Sequence, residues 1–213
     1  MKVLFRSVLV ALCLLPLACH AAAPDAFTEG KEYKKVAESV APADSKRVTV
    51  EEFFWYGCPH CFHADPFIAS WLPKKAGYID FVRIPNTLGR PEGEAHARAF
   101  YIADVLGVGE KIHKPLFVAI HEQHQPMNNA EQLRGLFASV AGVSAADFDK
   151  ASSSFVVDSK MRRAEQLAKR YQITSVPTIV VGGKYYTNAT MAGSNEKVMA
   201  VIDFLAEKAR KER

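Results

Sequence analysis

The sequence predicts an α/β fold in which a β/α domain is interrupted by an all-helical insertion. Three observations predict it. A strongly β-forming segment, 47–56, leads into a helical pattern; residues 85–155 carry only helical periodicities; and a strand pattern returns at Ser175 before a final helix. The 213 residues suit one domain with an insertion, and a content of 49% hydrophobic and 23% charged residues is typical of a globular protein.

The first part of the split domain is predicted as two strands, a helix and a third strand. Residues 27–36 mix aromatic and charged side chains, which is typical of a short edge strand. Residues 47–56 (RVTVEEFFWY) are rich in β-branched and aromatic residues and predict a buried strand. Apolar residues recur at helical spacing after Pro59, Pro66 is expected to kink this helix, and residues 78–84 alternate like a strand.

The middle of the chain is predicted to be helical throughout. Its four helices are expected at 94–106, 112–121, 130–140 and 145–151. His121 and His124 lie three residues apart on a polar face, which indicates solvated side chains rather than ligands.

The last part returns to the sheet. Its elements are predicted as a helix at 157–171, a strand at 175–181, a two-glycine hairpin turn at 182–183, a strand at 184–186 and a final helix at 196–211. The predicted domain boundaries are therefore 22–84 with 156–213 for the split domain, and 85–155 for the insertion.

Residues 1–21 are predicted to be a signal peptide that is removed on export. Lys2 and Arg6 form a positive region, and the apolar run that follows is too short to span a bilayer. Small residues then favour cleavage after Ala21. A lipid anchor on Cys19 is an alternative, although the third residue before it is not the leucine typical of a lipoprotein. Without Lys2 and Arg6 the net charge falls from +4 to +2, and no basic cluster indicates a nucleic-acid partner.

Cleavage leaves two cysteines, Cys58 and Cys61. An exported chain without a disulfide framework, whose thiols lie three residues apart, uses them for chemistry. The motif lies where the buried strand turns into a helix, so the two sulfurs are close enough to form a disulfide. Cys58 faces the unpaired N–H groups of the helix start, which favour the thiolate that attacks disulfides. Cys61, one turn further, is expected to be more buried and to resolve the mixed disulfide.

Pro59 and His60 are predicted to set the redox direction. Pro59 removes one N–H group and stiffens the turn. His60 adds a positive field beside Cys58. Because a lowered thiol pKa stabilises the reduced form, the pair is expected to give its disulfide away.

The chain resembles the DsbA family of periplasmic thiol–disulfide oxidoreductases. The resemblance rests on the signal peptide, Glu52-Phe53-Phe54, Cys58-Pro59-His60-Cys61, the helical insertion and Val176-Pro177, and it covers nearly all of the mature chain. This family is itself the known example of a strongly lowered thiol pKa.

The resemblance implies a thioredoxin-like fold interrupted by a helical domain. It implies an enzyme that donates its Cys58–Cys61 disulfide to unfolded exported proteins with free cysteines, as a monomer in the periplasm and without any cofactor beyond that disulfide. Reoxidation is expected from a DsbB-like membrane protein that passes the electrons to quinone.

The resemblance also implies roles for residues outside the motif. Glu52 occupies the place of a buried acid that assists proton transfer at the buried cysteine, and Asp65 stands where the family has a glutamate. The family's lysine opposite the buried acid has no match, and Arg83 is a candidate replacement. Pro177 is expected to be cis, to pack beside the cysteines, and to form with Val176 a wall for the substrate.

Two other functions stay open from the sequence. A periplasmic disulfide isomerase or reductase would use the same cysteines, but such isomerases usually carry an N-terminal dimerisation domain, for which too few residues precede the first strong strand. A periplasmic metal- or copper-binding chaperone would use Cys58, Cys61 and His63, although the sequence has no second CxxC or CxxH pair.

Overall fold

The structure is a computed structural model of the chain that describes residues 26–41, 44 and 46–212. The predicted signal peptide, 1–21, and the alternative lipid anchor on Cys19 lie outside the described residues. None of the helices in the described ranges is long and apolar enough to cross a bilayer.

The described residues form a five-stranded mixed sheet. Its strands are β1 (Lys34–Lys35), β2 (Val48–Phe54), β3 (Ile79–Pro85), β4 (Thr178–Val181) and β5 (Tyr185–Thr187). They lie in the order β1-β5-β4-β2-β3, with β2 parallel to β3 and antiparallel to β4. The segment predicted as the best strand is thus next to the middle of the sheet, where its alternate side chains are buried on both faces.

The helices connect and cover these strands. They are α1 (Pro59–Trp71), followed by a 3₁₀ turn (Leu72–Lys74), α2 (Pro91–Val105), α3 (Gly109–His121), α4 (Ala130–Ala141), α5 (Ala145–Ser152), α6 (Phe155–Tyr171), α7 (Ala189–Ala192) and α8 (Asn195–Lys211). The run of helices from α2 to α5 falls within the predicted insertion, while the domain boundaries at 85 and 155 stay a prediction.

Two apolar cores hold the layers together. On one face of the sheet Val48 and Val50 pack with Trp71 of α1 and Leu205 of α8. On the other face and at the end of β2, Phe53 and Phe54 belong to a core shared with α2 to α6. Phe54 therefore lies where β2 meets the helical segment.

Most predicted elements are present, and the differences have local causes. The first strand has only two residues, and α1 continues through Pro66. Strand β4 begins after Pro177, whose ring nitrogen has no hydrogen to give to a ladder. Helix α7 was not predicted; its N-cap is Asn188, whose side chain accepts a hydrogen bond from the Met191 amide at 2.9 Å.

The predicted glycine turn joins β4 to β5. Gly182 and Gly183 have φ angles of 61° and 65°. Two successive positive φ angles match the twist of a hairpin, and glycine adopts them without steric cost. The turn thus fixes the antiparallel pairing that returns the chain to the sheet beside β2.

Candidate active site

The Cys58-Pro59-His60-Cys61 motif lies at the start of α1, directly after β2. Cys58 is the N-cap residue, with extended backbone angles (φ −90°, ψ 117°), and Pro59 is the first helical residue. The Cys58 amide donates to the carbonyl of Trp55 at 3.0 Å. No side chain caps the helix, so its first N–H groups face the sulfur of Cys58.

The two cysteines have opposite environments. Both are free thiols; Cys58 is 8% exposed, whereas Cys61 is completely buried. A hydrogen bond from the Cys61 thiol lowers the pKa of Cys58 to about 6, with help from the amides of Cys61 and His60 and the charge of His60. Burial, together with the neighbouring Cys58, raises the pKa of Cys61. At neutral pH the pair therefore consists of a slightly exposed thiolate and a completely buried thiol.

The neighbouring motif residues, Pro59 and His60, are exposed. The His60 side chain contributes to the low Cys58 pKa through its charge, and its amide contributes through a hydrogen bond. Changing the side chain would therefore leave part of this effect in place.

The Val176–Pro177 segment lies beside Cys58. The peptide bond between the two residues is cis, as expected. When Cys58 is protonated, its thiol donates a hydrogen bond to the carbonyl oxygen of Val176 at 3.5 Å, across 118 residues of sequence. Both residues are half-buried, so the backbone next to the sulfur is open on one side.

Glu52, Arg83 and Asp65 form a chain of ion pairs beneath the motif. Arg83 Nε donates to Glu52 Oε2 at 3.2 Å, and its Nη2 donates to Asp65 Oδ1 at 3.1 Å. The pairing follows from register, because Glu52 and Arg83 are direct partners in the parallel ladder of β2 and β3. Arg83 thus takes the place predicted for it opposite the buried acid.

The two carboxyl groups of this chain ionise differently. Burial raises the pKa of Glu52 to about 7, against the opposing charge of Arg83. Burial also disfavours ionised Asp65, but the hydrogen bond from His113 and the charge of Arg83 outweigh it and lower the Asp65 pKa. Glu52 is close enough for its charge to help raise the pKa of Cys61. Glu52 therefore changes its charge near neutral pH within electrostatic range of the buried Cys61.

Three histidines of α2 and α3 contact Trp55 and Tyr56, the two residues that precede Gly57. The sequence did not reveal these contacts. His96 accepts from the Trp55 indole at 3.0 Å, His113 Nδ1 lies 2.9 Å from the Tyr56 hydroxyl, and His121 Nε2 lies 2.7 Å from the Tyr56 carbonyl. Each contact joins residues more than 40 positions apart, so no local spacing could have indicated it.

The prediction of a solvated His121 is wrong. Its ring is half-buried and stacks on Phe62, with centroids 4.8 Å apart and planes at 17°. The physical reason is that α3 ends against the start of α1, where the Tyr56 carbonyl provides an acceptor. His124 is exposed, as predicted.

The geometry disfavours the metal-site alternative. His63 is exposed, whereas Cys61 is fully buried on another side of α1, so the two cannot share an ion with Cys58. Within the described ranges no group of three or more His, Cys, Asp or Glu side chains is arranged to hold a metal.

Comparison with known proteins supports the thiol chemistry. Residues 49–199 match the DSBA-like thioredoxin domain family. The chain belongs to the DsbA family of thiol:disulfide oxidoreductases. It is 36% identical to the thiol:disulfide interchange protein DsbA of Pseudomonas syringae pv. tomato, over 98% of this chain and 96% of the relative. Identity to the DsbA of Burkholderia cepacia is also 36%, over 99% and 98% of the two chains.

A solved DsbA has the same fold. The crystal structure of Pseudomonas aeruginosa DsbA superposes with a TM-score of 0.82 at 35% identity, covering 89% of this chain and 97% of that one. The prediction of a thioredoxin-like fold with inserted helices is confirmed, as is the oxidoreductase class.

Proposed function

We propose that the protein oxidises unfolded exported proteins by donating a Cys58–Cys61 disulfide to them. The observation that carries this proposal is the asymmetry of the pair: the Cys58 pKa is lowered to about 6 at the N-terminus of α1, whereas the Cys61 pKa is raised in the core. A sulfur with a low pKa is a good leaving group, so a mixed disulfide on Cys58 is readily resolved in favour of the substrate.

The exchange proceeds in two steps. A substrate thiolate attacks the Cys58 sulfur of the disulfide, and Cys61 leaves and takes up a proton. A second substrate thiolate then attacks the substrate sulfur of the mixed disulfide and expels Cys58 as a thiolate. The substrate has lost two electrons, and the Cys58–Cys61 pair has gained them. The redox-active disulfide is the only redox group that this sequence of steps requires.

Glu52 would handle the proton at Cys61. Its pKa of about 7 leaves it partly protonated at neutral pH, it is 2% exposed, and its charge acts on the buried Cys61. In the first step it would supply the proton that the departing Cys61 needs, and in reoxidation it would take that proton back. The positive charge of Arg83 opposes the effect of burial on the Glu52 pKa, so Glu52 can still ionise near neutral pH.

Val176 and Pro177 would bind the substrate. The Val176 carbonyl oxygen is 3.5 Å from the Cys58 sulfur. Pro177 has no backbone N–H group, so it offers no donor toward that sulfur. A substrate segment that lies extended along this half-buried backbone would bring its cysteine to Cys58. Pro59 and His60 would set the thiolate stability from the first turn of α1.

The family suggests the partners and the compartment. We infer that the protein acts in the periplasm as a monomer, after removal of residues 1–21, and that a DsbB-like quinone-linked membrane protein reoxidises it. A lipid anchor on Cys19 is the alternative to free release. The split domain, 22–84 with 156–213, would carry the chemistry, and the insertion, 85–155, would cover it.

The test uses the oxidised full-length mature protein and a reduced, unfolded peptide with two cysteines. The Cys58→Ser variant should not oxidise the peptide. The Cys61→Ser variant, loaded at Cys58 with glutathione as a mixed disulfide, should exchange the glutathione for a one-cysteine version of the peptide and keep it as an adduct on Cys58. His63→Ala is the matched control, because His63 is exposed and matters only for a metal site. Loss of peptide oxidation in His63→Ala, or activity in Cys58→Ser, would contradict the proposal. A reduction potential near that of thioredoxin would instead favour a reductase.

A further inference from the structure

The indole of Trp55 is held by a histidine of the helical segment. Trp55 Nε1 donates to His96 Nδ1 at 3.0 Å, and His96 Nε2 lies 2.9 Å from the carbonyl oxygen of Pro126. An indole N–H can only donate and a backbone carbonyl can only accept. His96 must therefore be neutral, with its single proton on Nε2.

This indole lies against the residue that precedes the reactive cysteine. A Cβ atom placed on Gly57 would come within 2.3 Å of the Trp55 ring, so the ring covers Gly57 directly. The Trp55 carbonyl also accepts the Cys58 amide. The position of Trp55 thus shapes the surface immediately beside Cys58.

We propose that His96 is a positioning residue whose neutral imidazole holds the Trp55 indole against Gly57, and that protonation of His96 releases the indole. The consequence for catalysis rests on the proposed role of Cys58, since only then does a substrate meet the Trp55 surface. Protonated imidazole carries N–H groups on both nitrogens, so it cannot accept from the indole. At low pH, repulsion between two N–H donors would therefore replace the hydrogen bond between the Trp55 indole and His96.

Polar and charged groups from three segments of the chain act on His96: Glu92 of α2, His121 of α3 and the Pro126 carbonyl. The side chain is 2% exposed, and this burial lowers the His96 pKa below its ordinary value. His121 of α3 also opposes protonation, whereas Glu92 of α2 and the Pro126 carbonyl favour it. Arg90 places its guanidinium 5.5 Å from the centre of the Trp55 ring, so a cation also contacts the indole that His96 holds. The neutral form of His96 is the one that this arrangement stabilises.

The test follows Trp55 directly. The sequence has two tryptophans, and the other, Trp71, donates its N–H to Asp203. In a Trp71→Phe background, the Trp55 emission should shift in one acid titration whose midpoint lies below the ordinary histidine pKa of about 6.5. In His96→Gln the shift should be lost, because the amide can accept from the indole and donate to Pro126 without titrating. In His96→Leu the emission should be shifted at every pH.

A second measurement avoids the Trp71 substitution. The Nε1–H resonance of Trp55 in the isotope-labelled protein should follow the same titration and should be constant in His96→Gln. A titration that persists in His96→Gln, or an emission that does not titrate at all, would overturn the proposal. Both readouts are taken on the oxidised protein, in which Cys58 is held in the disulfide and does not titrate, so they separate this proposal from the proposed function.

The link to catalysis has its own measurement. At neutral pH, His96→Leu should exchange disulfides with the reduced peptide about threefold or more slowly than His96→Gln, since the surface beside Cys58 is no longer fixed. The ultraviolet absorbance of the Cys58 thiolate should titrate identically in both variants. Equal exchange rates in the two variants would overturn the positioning role.

Discussion

Arg83 stands directly opposite Glu52 in the parallel pairing of β2 and β3, and its guanidinium donates to Glu52 at 3.2 Å and to Asp65 at 3.1 Å. One cation thus pairs with two carboxyl groups from two different elements, the buried Glu52 of β2 and the half-buried Asp65 of α1. A guanidinium can do this because its N–H groups point in several fixed directions, whereas an ammonium is a single point charge. This geometry explains how an arginine can occupy the position opposite Glu52 in the ladder of β2 and β3.

Replacing Arg83 with Met should leave the buried Glu52 without its cation and Asp65 with only its hydrogen bond from His113. The free energy of unfolding of the oxidised protein should fall by about 3–5 kcal/mol near pH 8, and by less near pH 5, where Glu52 takes up a proton. Urea unfolding at the two pH values measures the difference. Arg134→Met is the matched control, because Arg134 pairs with Asp149 on the exposed surface and its loss should cost less than about 1 kcal/mol. Similar losses in both variants would contradict the buried network.

Replacing Glu52 with Gln should change how stability depends on pH. Burial raises the pKa of Glu52 from 4.5 to about 7, so the folded protein holds an extra proton between these values. The stability linked to this proton is fully present below about pH 4.5 and is lost as the pH rises through about 7. Glu52→Gln lacks this loss, so its stability relative to wild type should rise by roughly 2–3 kcal/mol from pH 4 to pH 8.

Chemical denaturation across this pH range provides the measurement. Glu122→Gln, which changes an exposed carboxylate, should run parallel to wild type. A Glu52→Gln curve that also runs parallel would show that Glu52 ionises normally in the folded protein.

The pKa of Cys58 should depend more on Cys61 than on His60. The hydrogen bond from the Cys61 thiol is the largest cause of the low Cys58 pKa, and the His60 charge is a smaller one. Cys61→Ala should therefore raise the Cys58 pKa above about 6 by more than His60→Ala does. Thiolate absorbance against pH measures both. Cys61→Ser keeps a donor and should raise the pKa less than Cys61→Ala, so the reverse order would refute this hydrogen bond.

The reduction potential should change its pH dependence near the Cys58 pKa. Below about pH 6, reduction takes up two protons with two electrons, and the potential should fall by about 59 mV per pH unit. Above it, Cys58 remains a thiolate while Cys61 stays protonated, so the slope should halve to about 30 mV per pH unit. Equilibration with glutathione at several pH values measures this. A steep slope that continues to pH 8 would mean that Cys58 is an ordinary thiol.

The parts of the molecule that sequence predicted well depend on neighbours along the chain. Cys58 and Cys61 are one helical turn apart after a β-forming run, and the Gly182-Gly183 turn needs only the two glycines themselves. The strand at 47–56 and the helices of the middle segment followed from periodicity alone. Such features are fixed by local backbone preference and side-chain spacing, which a single sequence displays.

The tertiary structure alone decided which distant residues meet. The Arg83–Glu52 pairing depends on the register of two parallel strands, and a slip of one residue would turn Arg83 to the other face. The contacts of His96, His113 and His121 depend on how α2 and α3 pack against the end of β2. Histidines in separate helices carry no spacing signal, because their partner is chosen by packing in space. Burial then sets the proton affinities of Glu52 and Cys61, and burial exists only once the core has formed.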